Sequence, residues 1–205
     1  MNKKKLITML SAVALVGVIG VGSTLAYFTD NDAANNVVTM GHVDIELEEP
    51  QFAEANENNT IENVVPNQTI TKDPTITVVA GSESCYLRAK VEISDKLTAD
   101  QAAELLENIN IDDEKWVLST DGYYYYQDKV EKAAEDQTVV LFDTVVIPEL
   151  WGNEVANLSF KIDVTAEAIQ ADNFTPATTD GTINGWVTSN GDAITAETYV
   201  APDAE

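Results

Sequence analysis

The sequence is short of the residues from which many catalytic and redox sites are built. It has one cysteine, Cys85, and one histidine, His42, among its 205 residues. A single cysteine excludes a disulfide within the chain. A buried thiol is the simpler interpretation of Cys85, and a disulfide between two chains is the alternative. The same shortage argues against a zinc site of histidines and cysteines, so we interpret His42 as an exposed strand residue.

Basic residues are also scarce. The chain has 11 Lys and Arg against 35 Asp and Glu, a formal net charge of −24. Phosphate binding needs a basic surface, so we predict no nucleic-acid partner. The same charge disfavours adsorption to anionic lipid. Because the acidic residues alternate with apolar ones, the charge does not indicate disorder.

Recognisable catalytic and cofactor motifs are missing as well. No strand-turn-helix elbow surrounds a serine, and one histidine leaves little choice of general base. Asp30-Asn31-Asp32 begins like a calcium-binding EF-hand loop, but Asn35 and Gly41 stand where that loop needs Gly and Glu. We therefore predict no catalytic, metal-binding or cofactor-binding residue and no cofactor. Because the chain is so acidic, weak binding of Ca²⁺ at its surface is the alternative.

The N-terminus has the order of a secretory signal peptide. Lys3, Lys4 and Lys5 precede an uncharged apolar run over residues 6–21, and small residues end at Ala26. We predict cleavage between Ala26 and Tyr27; a retained membrane anchor is the alternative. Contact with the membrane is then expected only before cleavage. Removal of residues 1–26 leaves 8 basic residues against 35 acidic ones, a net charge of −27.

Several segments alternate apolar and polar residues with a period of two, which predicts half-buried strands. The clearest are residues 42–48, 85–93 and 158–167. Two β-branched runs, residues 75–80 and 139–147, predict further strands. In the second of these five segments, Arg88 falls on the polar row with Tyr86 and Lys90, opposite the row that contains Cys85.

Connecting segments have their own signals. Thr98 and Gln101 form a capping box that predicts a helix, and a second helical turn over residues 130–135 is a weaker possibility. Asp121-Gly122 predicts a two-residue hairpin that sets Leu118 opposite Tyr125. Residues 48–63 are interpreted as a loop. Asp-Gly and Asn-Gly pairs at 180–181, 184–185 and 190–191 predict a meander of very short strands or an irregular lid.

These elements together predict a mainly β fold, a jelly-roll-like sandwich of two antiparallel sheets with one or two short helices in connections. We divide the chain into a signal peptide (residues 1–26), an N-terminal segment of the mature chain (residues 27–47) and a sandwich domain (residues 48–205). The tyrosine run and Trp116, Trp151 and Trp186 are assigned to core and cross-strand packing. A sugar-stacking platform is the alternative.

The new N-terminus is the most informative segment for function. Tyr27, Phe28 and Thr29 follow the predicted cleavage site directly, and Val37 and Val38 precede the first strand. Cleavage frees this segment, and a free extended segment can add as a strand to the sheet edge of a neighbouring molecule. The alternative is that the segment pairs within its own sheet or stays frayed.

The chain resembles the TasA–camelysin family of Gram-positive bacteria. The resemblance is carried by residues 22–30 around the cleavage site, Val43-Asp44-Ile45, Lys72-Asp73-Pro74, Tyr86-Leu87-Arg88 and residues 163–171. It implies a jelly-roll sandwich, cleavage by a SipW-type signal peptidase, and secretion to the cell surface or extracellular matrix of a Gram-positive bacterium.

In the best-known members, the resemblance implies assembly into biofilm fibres by donation of the mature N-terminal segment. Mapped onto this sequence, the donor is residues 27–38. The partners are then copies of the chain itself or related matrix subunits. Camelysin is described as a surface metalloprotease, but no metalloprotease motif is present here, so that activity is not carried over. A camelysin-like protease and a monomeric surface binding module remain the alternatives.

Overall fold

The computed structural model describes residues 42–56, 61, 64–152, 155, 160–172, 174–188 and 190–195. Eleven strands and two helices lie in this part of the chain. The strands are β1 (Ile45–Glu48), β2 (Thr69–Thr71), β3 (Thr75–Val78), β4 (Cys85–Asp95), β5 (Trp116–Leu118), β6 (Tyr124–Tyr126), β7 (Gln137–Val140), β8 (Thr144–Val146), β9 (Phe160–Gln170), β10 (Phe174–Thr179) and β11 (Thr182–Thr188). The helices are α1 (Pro50–Ala55) and α2 (Ala99–Glu107).

Every described strand pair is antiparallel. The strands form a four-stranded sheet in the order β5-β6-β4-β9, a three-stranded sheet in the order β1-β3-β7, and the pairs β2-β8 and β10-β11. The longest ladder joins β4 and β9 over eleven residue pairs, from Cys85 opposite Gln170 to Asp95 opposite Phe160. This arrangement is a mainly β fold consistent with a β-sandwich, which confirms the predicted fold class.

The main core lies on one face of the four-stranded sheet. The row Cys85, Leu87, Ala89 and Val91 of β4 points into it and is buried, as the alternation predicted. The other strands and both helices supply further buried members, among them Ile76, Val78, Val145, Trp116, Leu105 and Phe52. Burial of this apolar row without disulfides is the principal source of stability for the described part of the chain.

Helix α2 forms where its cap predicts. The Thr98 hydroxyl accepts a hydrogen bond from the Gln101 N–H at 3.3 Å, and the Gln101 side chain accepts one from the Thr98 N–H at 2.9 Å. Leu105 then points into the main core and is fully buried. The capping-box prediction is confirmed.

Four local predictions were wrong. The segment at residues 48–63, interpreted as a loop, contains α1, and residues 130–135 contain no helical turn. The run at 139–147 is divided between β7 and β8, which belong to different sheets. Between β5 and β6, the Ser119 N–H donates to the Tyr123 carbonyl at 2.8 Å and closes a loop of three residues rather than two, so Leu118 pairs with Tyr124 instead of Tyr125. Gly122, at a φ of +85°, provides the left-handed residue that such a loop needs.

Candidate functional site

The residues predicted to act in export and assembly lie outside the described part of the chain. Ala26, Tyr27, Phe28, Thr29, Val37 and Val38 all precede residue 42, where the description begins. Their roles stay predictions. The described part of the chain has sheet edges of its own, and the edge strand β9 is the longest of these.

Strand β9 has β4 as its hydrogen-bonded neighbour among the described strands. The Ala171 N–H donates to the Ser84 carbonyl at 2.7 Å, so these two residues form a hydrogen-bonded pair. Along an antiparallel ladder, hydrogen-bonded pairs alternate with pairs whose backbone groups point outward. The backbone N–H and C=O groups of the even-numbered residues from 160 to 166 therefore point away from β4. Over this half of β9, the edge of the four-stranded sheet thus consists of backbone groups that point away from β4.

The side chains along this half of β9 alternate in burial. Phe160, Ile162, Val164 and Ala166 are half-buried and pack against the main core, whereas Lys161, Asp163 and Thr165 are exposed. Strand β1, at the edge of the three-stranded sheet, contacts β9.

A second arrangement surrounds Arg88 on the opposite face of β4. Its guanidinium is fully buried, although the sequence placed it on a polar row. Nε donates to Glu167 Oε2 at 2.7 Å, and Nη2 lies 2.5 Å from the same oxygen. The guanidinium carbon lies 4.1 Å from the ring centre of Tyr123 and 4.4 Å from that of Trp186. Arg88 is thus ion-paired and also in cation–π contact with two aromatic rings.

Tyrosine hydroxyls complete this network. Tyr123 donates to Glu167 Oε1 at 3.0 Å, and Tyr125 accepts from Arg88 Nη1 and donates to Asp121 Oδ2 at 2.7 Å. Burial, reinforced by the hydrogen bond to Asp121, raises the pKa of Tyr125 to about 12. Burial and the bond to Glu167 raise the pKa of Tyr123. Burial lowers the pKa of Arg88, but its hydrogen bonds to Tyr125 and Glu167 outweigh that effect and raise it.

Lys72 and Asp73 form a third buried polar group. The Asp73 carboxylate accepts hydrogen bonds from the backbone N–H groups of Gln51 and Phe52, each at 3.0 Å. The Lys72 ammonium lies 2.5 Å from a Glu49 oxygen and 5.0 Å from the centre of the Phe52 ring. The backbone N–H groups of the first turn of α1 thus find their hydrogen-bond acceptor in Asp73, about twenty residues further along the chain. The role of these two residues is structural. The Lys-Asp-Pro sequence was the only feature of the sequence that pointed to them.

The three tryptophans, all within the described part of the chain, do not form a surface platform. Trp116, Trp151 and Trp186 are all buried, and so is Tyr125. Trp116 packs against Tyr126, and Trp186 packs edge-on against Tyr125. The assignment of these residues to core and cross-strand packing is confirmed. Because the three tryptophans are buried, they are not exposed for stacking against a sugar.

The two classical zinc-ligand side chains lie in different environments. His42 is exposed, as predicted, but it precedes β1 instead of lying in a strand, whereas Cys85 is a free and fully buried thiol. Burial raises the pKa of Cys85 to about 12, so the thiol stays protonated and unreactive near neutral pH. Within the described ranges, no three His, Cys, Asp or Glu side chains converge as a metal-binding group.

A membrane-spanning helix is not found among the residues with described positions. The predicted signal segment precedes them, so this finding applies to the β-rich body alone.

Comparison with known proteins identifies the relationship. Neither a curated protein nor a solved structure matches the chain. A family model for the camelysin metallo-endopeptidase matches residues 1–167, which is most of the sequence. Proteins of this family are in general secreted or located at the cell surface. The match confirms the resemblance inferred from the residues around 22–30 and 72–88, and the chain belongs to the camelysin metallo-endopeptidase family.

Proposed function

We propose that this chain is a secreted cell-surface or matrix subunit that assembles head to tail with copies of itself. In the proposed contact, residues 27–38 of one copy pair as a strand along the outer edge of β9 in the next copy. The observation that carries the proposal is the first half of β9. There, an edge of the four-stranded sheet runs beside a row of half-buried apolar side chains.

The two parts of this contact are chemically matched. The backbone N–H and C=O groups of Phe160, Ile162, Val164 and Ala166 point away from β4 with the direction and spacing that an added strand needs. Apolar donor residues such as Tyr27 and Phe28 then cover the half-buried row that includes Ile162 and Val164. Removal of those side chains from water supplies affinity, while the alternation of side chains fixes the register.

The contact uses different surfaces on the two partners, and that determines the product. A heterologous contact of this kind does not close on itself unless its rotation happens to form a ring, so it extends into a filament. If the same segment pairs with β9 of its own chain, the result is a monomer. Assembly then requires the segment to leave its own edge, and a related matrix subunit is an alternative acceptor.

Electrostatic repulsion opposes such packing. Each mature copy carries a net charge of −27, and copies in a filament are close enough for screening to matter. Added salt, divalent cations or mildly acidic pH lower this repulsion. We expect filament formation to be promoted by all three, with Ca²⁺ acting through weak surface sites rather than through a dedicated one.

The family description names a metallo-endopeptidase, but the histidine and cysteine of this chain do not provide the metal ligands of such an enzyme. A metallo-endopeptidase needs a metal with several protein ligands, but the sequence has one histidine and one cysteine, and the structure places the first on the surface and the second in the core. These residues do not fit a zinc site, so we derive no catalytic step. Incubation of homogeneous protein with casein, with and without chelator, tests the point; chelator-sensitive cleavage would contradict a purely structural role.

The first experiment compares four proteins by electron microscopy after concentration with Ca²⁺ at mildly acidic pH. They are the chain beginning at Tyr27, the same chain lacking residues 27–36, and the variants Val164→Pro and Thr138→Pro. Val164 and Thr138 both have N–H groups that point away from their ladder partners, in β9 and β7 respectively. Proline removes that N–H without removing a ladder bond.

The proposal expects filaments from the intact chain and from Thr138→Pro, and folded monomers from the deletion and from Val164→Pro. Circular dichroism confirms that the monomers are folded. Filaments from the deletion would show that residues 27–36 are not the donor. Filaments from Val164→Pro, with none from Thr138→Pro, would move the acceptor edge to β7. Persistent monomers of the intact chain favour a surface binding module or a subunit that needs another partner.

A further inference from the structure

The C-terminal hairpin covers the outer face of the four-stranded sheet with a hydrophobic cluster of its own. Strands β10 and β11 turn at Asp180 and Gly181, which have φ angles of +52° and +86°. The cluster under the hairpin contains Tyr123, Tyr125, Ile169, Ile183, Trp186 and Ile194. It shares no buried residue with the main core on the other face of the sheet. Separation of the two clusters means that loss of one does not by itself open a cavity in the other.

The hairpin is attached to the sheet through side chains. The Gln127 amide donates to the Ile183 carbonyl at 2.9 Å and accepts from the Ile183 N–H at 2.8 Å, so it pairs with Ile183 as a neighbouring strand would. Ser119 donates to the Asn184 carbonyl at 2.7 Å, and Arg88 donates to the Ile194 carbonyl at 3.0 Å. Within the hairpin, β10 and β11 pair over six residue pairs, with a register shift between Ala177 and Thr178.

The charged pair under the hairpin belongs entirely to the sheet. Arg88 and Glu167 are direct cross-strand partners in β4 and β9. If the hairpin moves away, both charges reach water while they remain paired. Opening therefore does not leave an unpaired charge in an apolar environment. An unpaired buried charge is what usually makes disturbing a buried ion pair costly in free energy.

We infer that residues 174–188 and 190–194 form a cover that opens as one unit while the sandwich beneath stays folded. The segment follows β9 through the turn at Ala171 and Asp172, so it can swing away without disturbing the β4-β9 ladder. The open form exposes Tyr86, Tyr123 and Tyr125 around the solvated Arg88–Glu167 pair. This inference is independent of strand donation, because it involves neither residues 27–38 nor the outer edge of β9.

Native-state hydrogen exchange at increasing urea concentration tests the cover directly. In the exported chain, amides of β11 are expected to exchange through an opening that precedes global unfolding, whereas amides of β4 exchange through global unfolding alone. Gln127→Ala removes both bonds to Ile183 and is expected to raise β11 exchange roughly tenfold with no change in β4. Gln137→Ala is the matched control, since Gln137 bonds the Glu131 carbonyl away from the hairpin.

Three outcomes decide the matter. Early opening of β11 that Gln127→Ala enhances, and Gln137→Ala does not, supports the cover. Equal protection of β11 and β4 in the unmodified chain overturns it. Equal acceleration of both strands by Gln127→Ala also overturns it, because the hairpin would then unfold only with the sandwich. Filament formation plays no part in the readout, so failure here leaves the proposed assembly mechanism unaffected.

Discussion

The two faces of strand β4 show two ways of burying a side chain. On the inner face, Cys85, Leu87 and Ala89 are buried among apolar residues of several strands and both helices. On the outer face, Arg88 is buried just as completely, but by aromatic rings, an ion pair and a hairpin attached through side chains. The inner face is covered by many elements of the fold, whereas the outer face depends on one added layer.

The largest expected difference between the faces comes from removing an inner side chain. Leu87→Ala deletes a fully buried side chain that the sandwich cannot replace by local movement, and we expect a loss of about 3 kcal/mol in the free energy of unfolding. Urea unfolding followed by far-ultraviolet circular dichroism measures it. Ile183→Ala in the hairpin is the comparison, with an expected global loss of less than half as much. Equal global losses would erase the distinction between the faces.

Alkaline pH is expected to destabilise the two faces in sequence. Burial raises the pKa of Cys85 from 9.0 to about 12, and burial together with Asp121 raises that of Tyr125 from 10.0 to about 12. Each folded pKa lies above the unfolded value, so stability is fully present below about pH 9 and is lost as the pH rises toward 12. The slope is about 1.4 kcal/mol per pH unit for each group.

Variants separate these two contributions in urea titrations at several pH values. Cys85→Ala is expected to flatten the loss that begins near pH 9, and Tyr125→Phe only the part that begins near pH 10. A Cys85→Ala protein that still loses stability with the original slope between pH 9 and 10 would contradict the assignment of that loss to the inner thiol.

A subtler test replaces the buried guanidinium. Arg88→Lys keeps the charge but replaces the spread guanidinium nitrogens by one nitrogen, whereas Arg88 reaches Glu167 through Nε and both Tyr125 and the Ile194 carbonyl through Nη1. We expect about 2 kcal/mol less protection of β11 amides against hydrogen exchange, with a smaller change in β4. Lys90→Arg, two residues along the same row and half-exposed, is the control and should be nearly neutral. A uniform loss of protection would tie Arg88 to the whole fold.

The smallest expected effect concerns the helix that packs on the inner face. Thr98→Ala removes the hydroxyl that caps α2, which costs about 1 kcal/mol. Because Leu105 of this helix lies in the main core, the loss should appear in global unfolding and equally in β4 exchange. Asp100→Ala, in the same first turn, is the control for a general effect of substitution there. A loss confined to α2 amides would show that the helix is not part of the cooperative core.

Local features were the ones that the sequence predicted well. The alternation around Cys85 and Leu87 and the cap formed by Thr98 and Gln101 each depend on neighbours within a few residues. They need no knowledge of the rest of the chain, and the structure has them in place. The family resemblance added the overall class of fold, which the strand pattern also indicated.

The failures all depend on distant partners or on turn geometry. Arg88 is buried because Ile194 and Trp186, about a hundred residues later, cover it. Helix α1 is satisfied by Asp73, although Pro50 at its first position was a usable local signal. The β5-β6 register differs from the prediction because Gly122 makes a three-residue loop. The assembly residues, from Tyr27 to Val38, lie outside the described part of the chain and are still predictions.

The placement of the three tryptophans has a practical consequence. Trp116 and Trp151 lie in the main core, and Trp186 lies under the hairpin with a guanidinium 4.4 Å from its ring centre. A cation over an indole face shifts its emission, so the chain contains intrinsic fluorophores with different electrostatic surroundings on the two sides of one sheet. Opening of the proposed cover is therefore expected to change the emission of Trp186 and to leave that of Trp116 and Trp151 unchanged, which can be followed without an added dye.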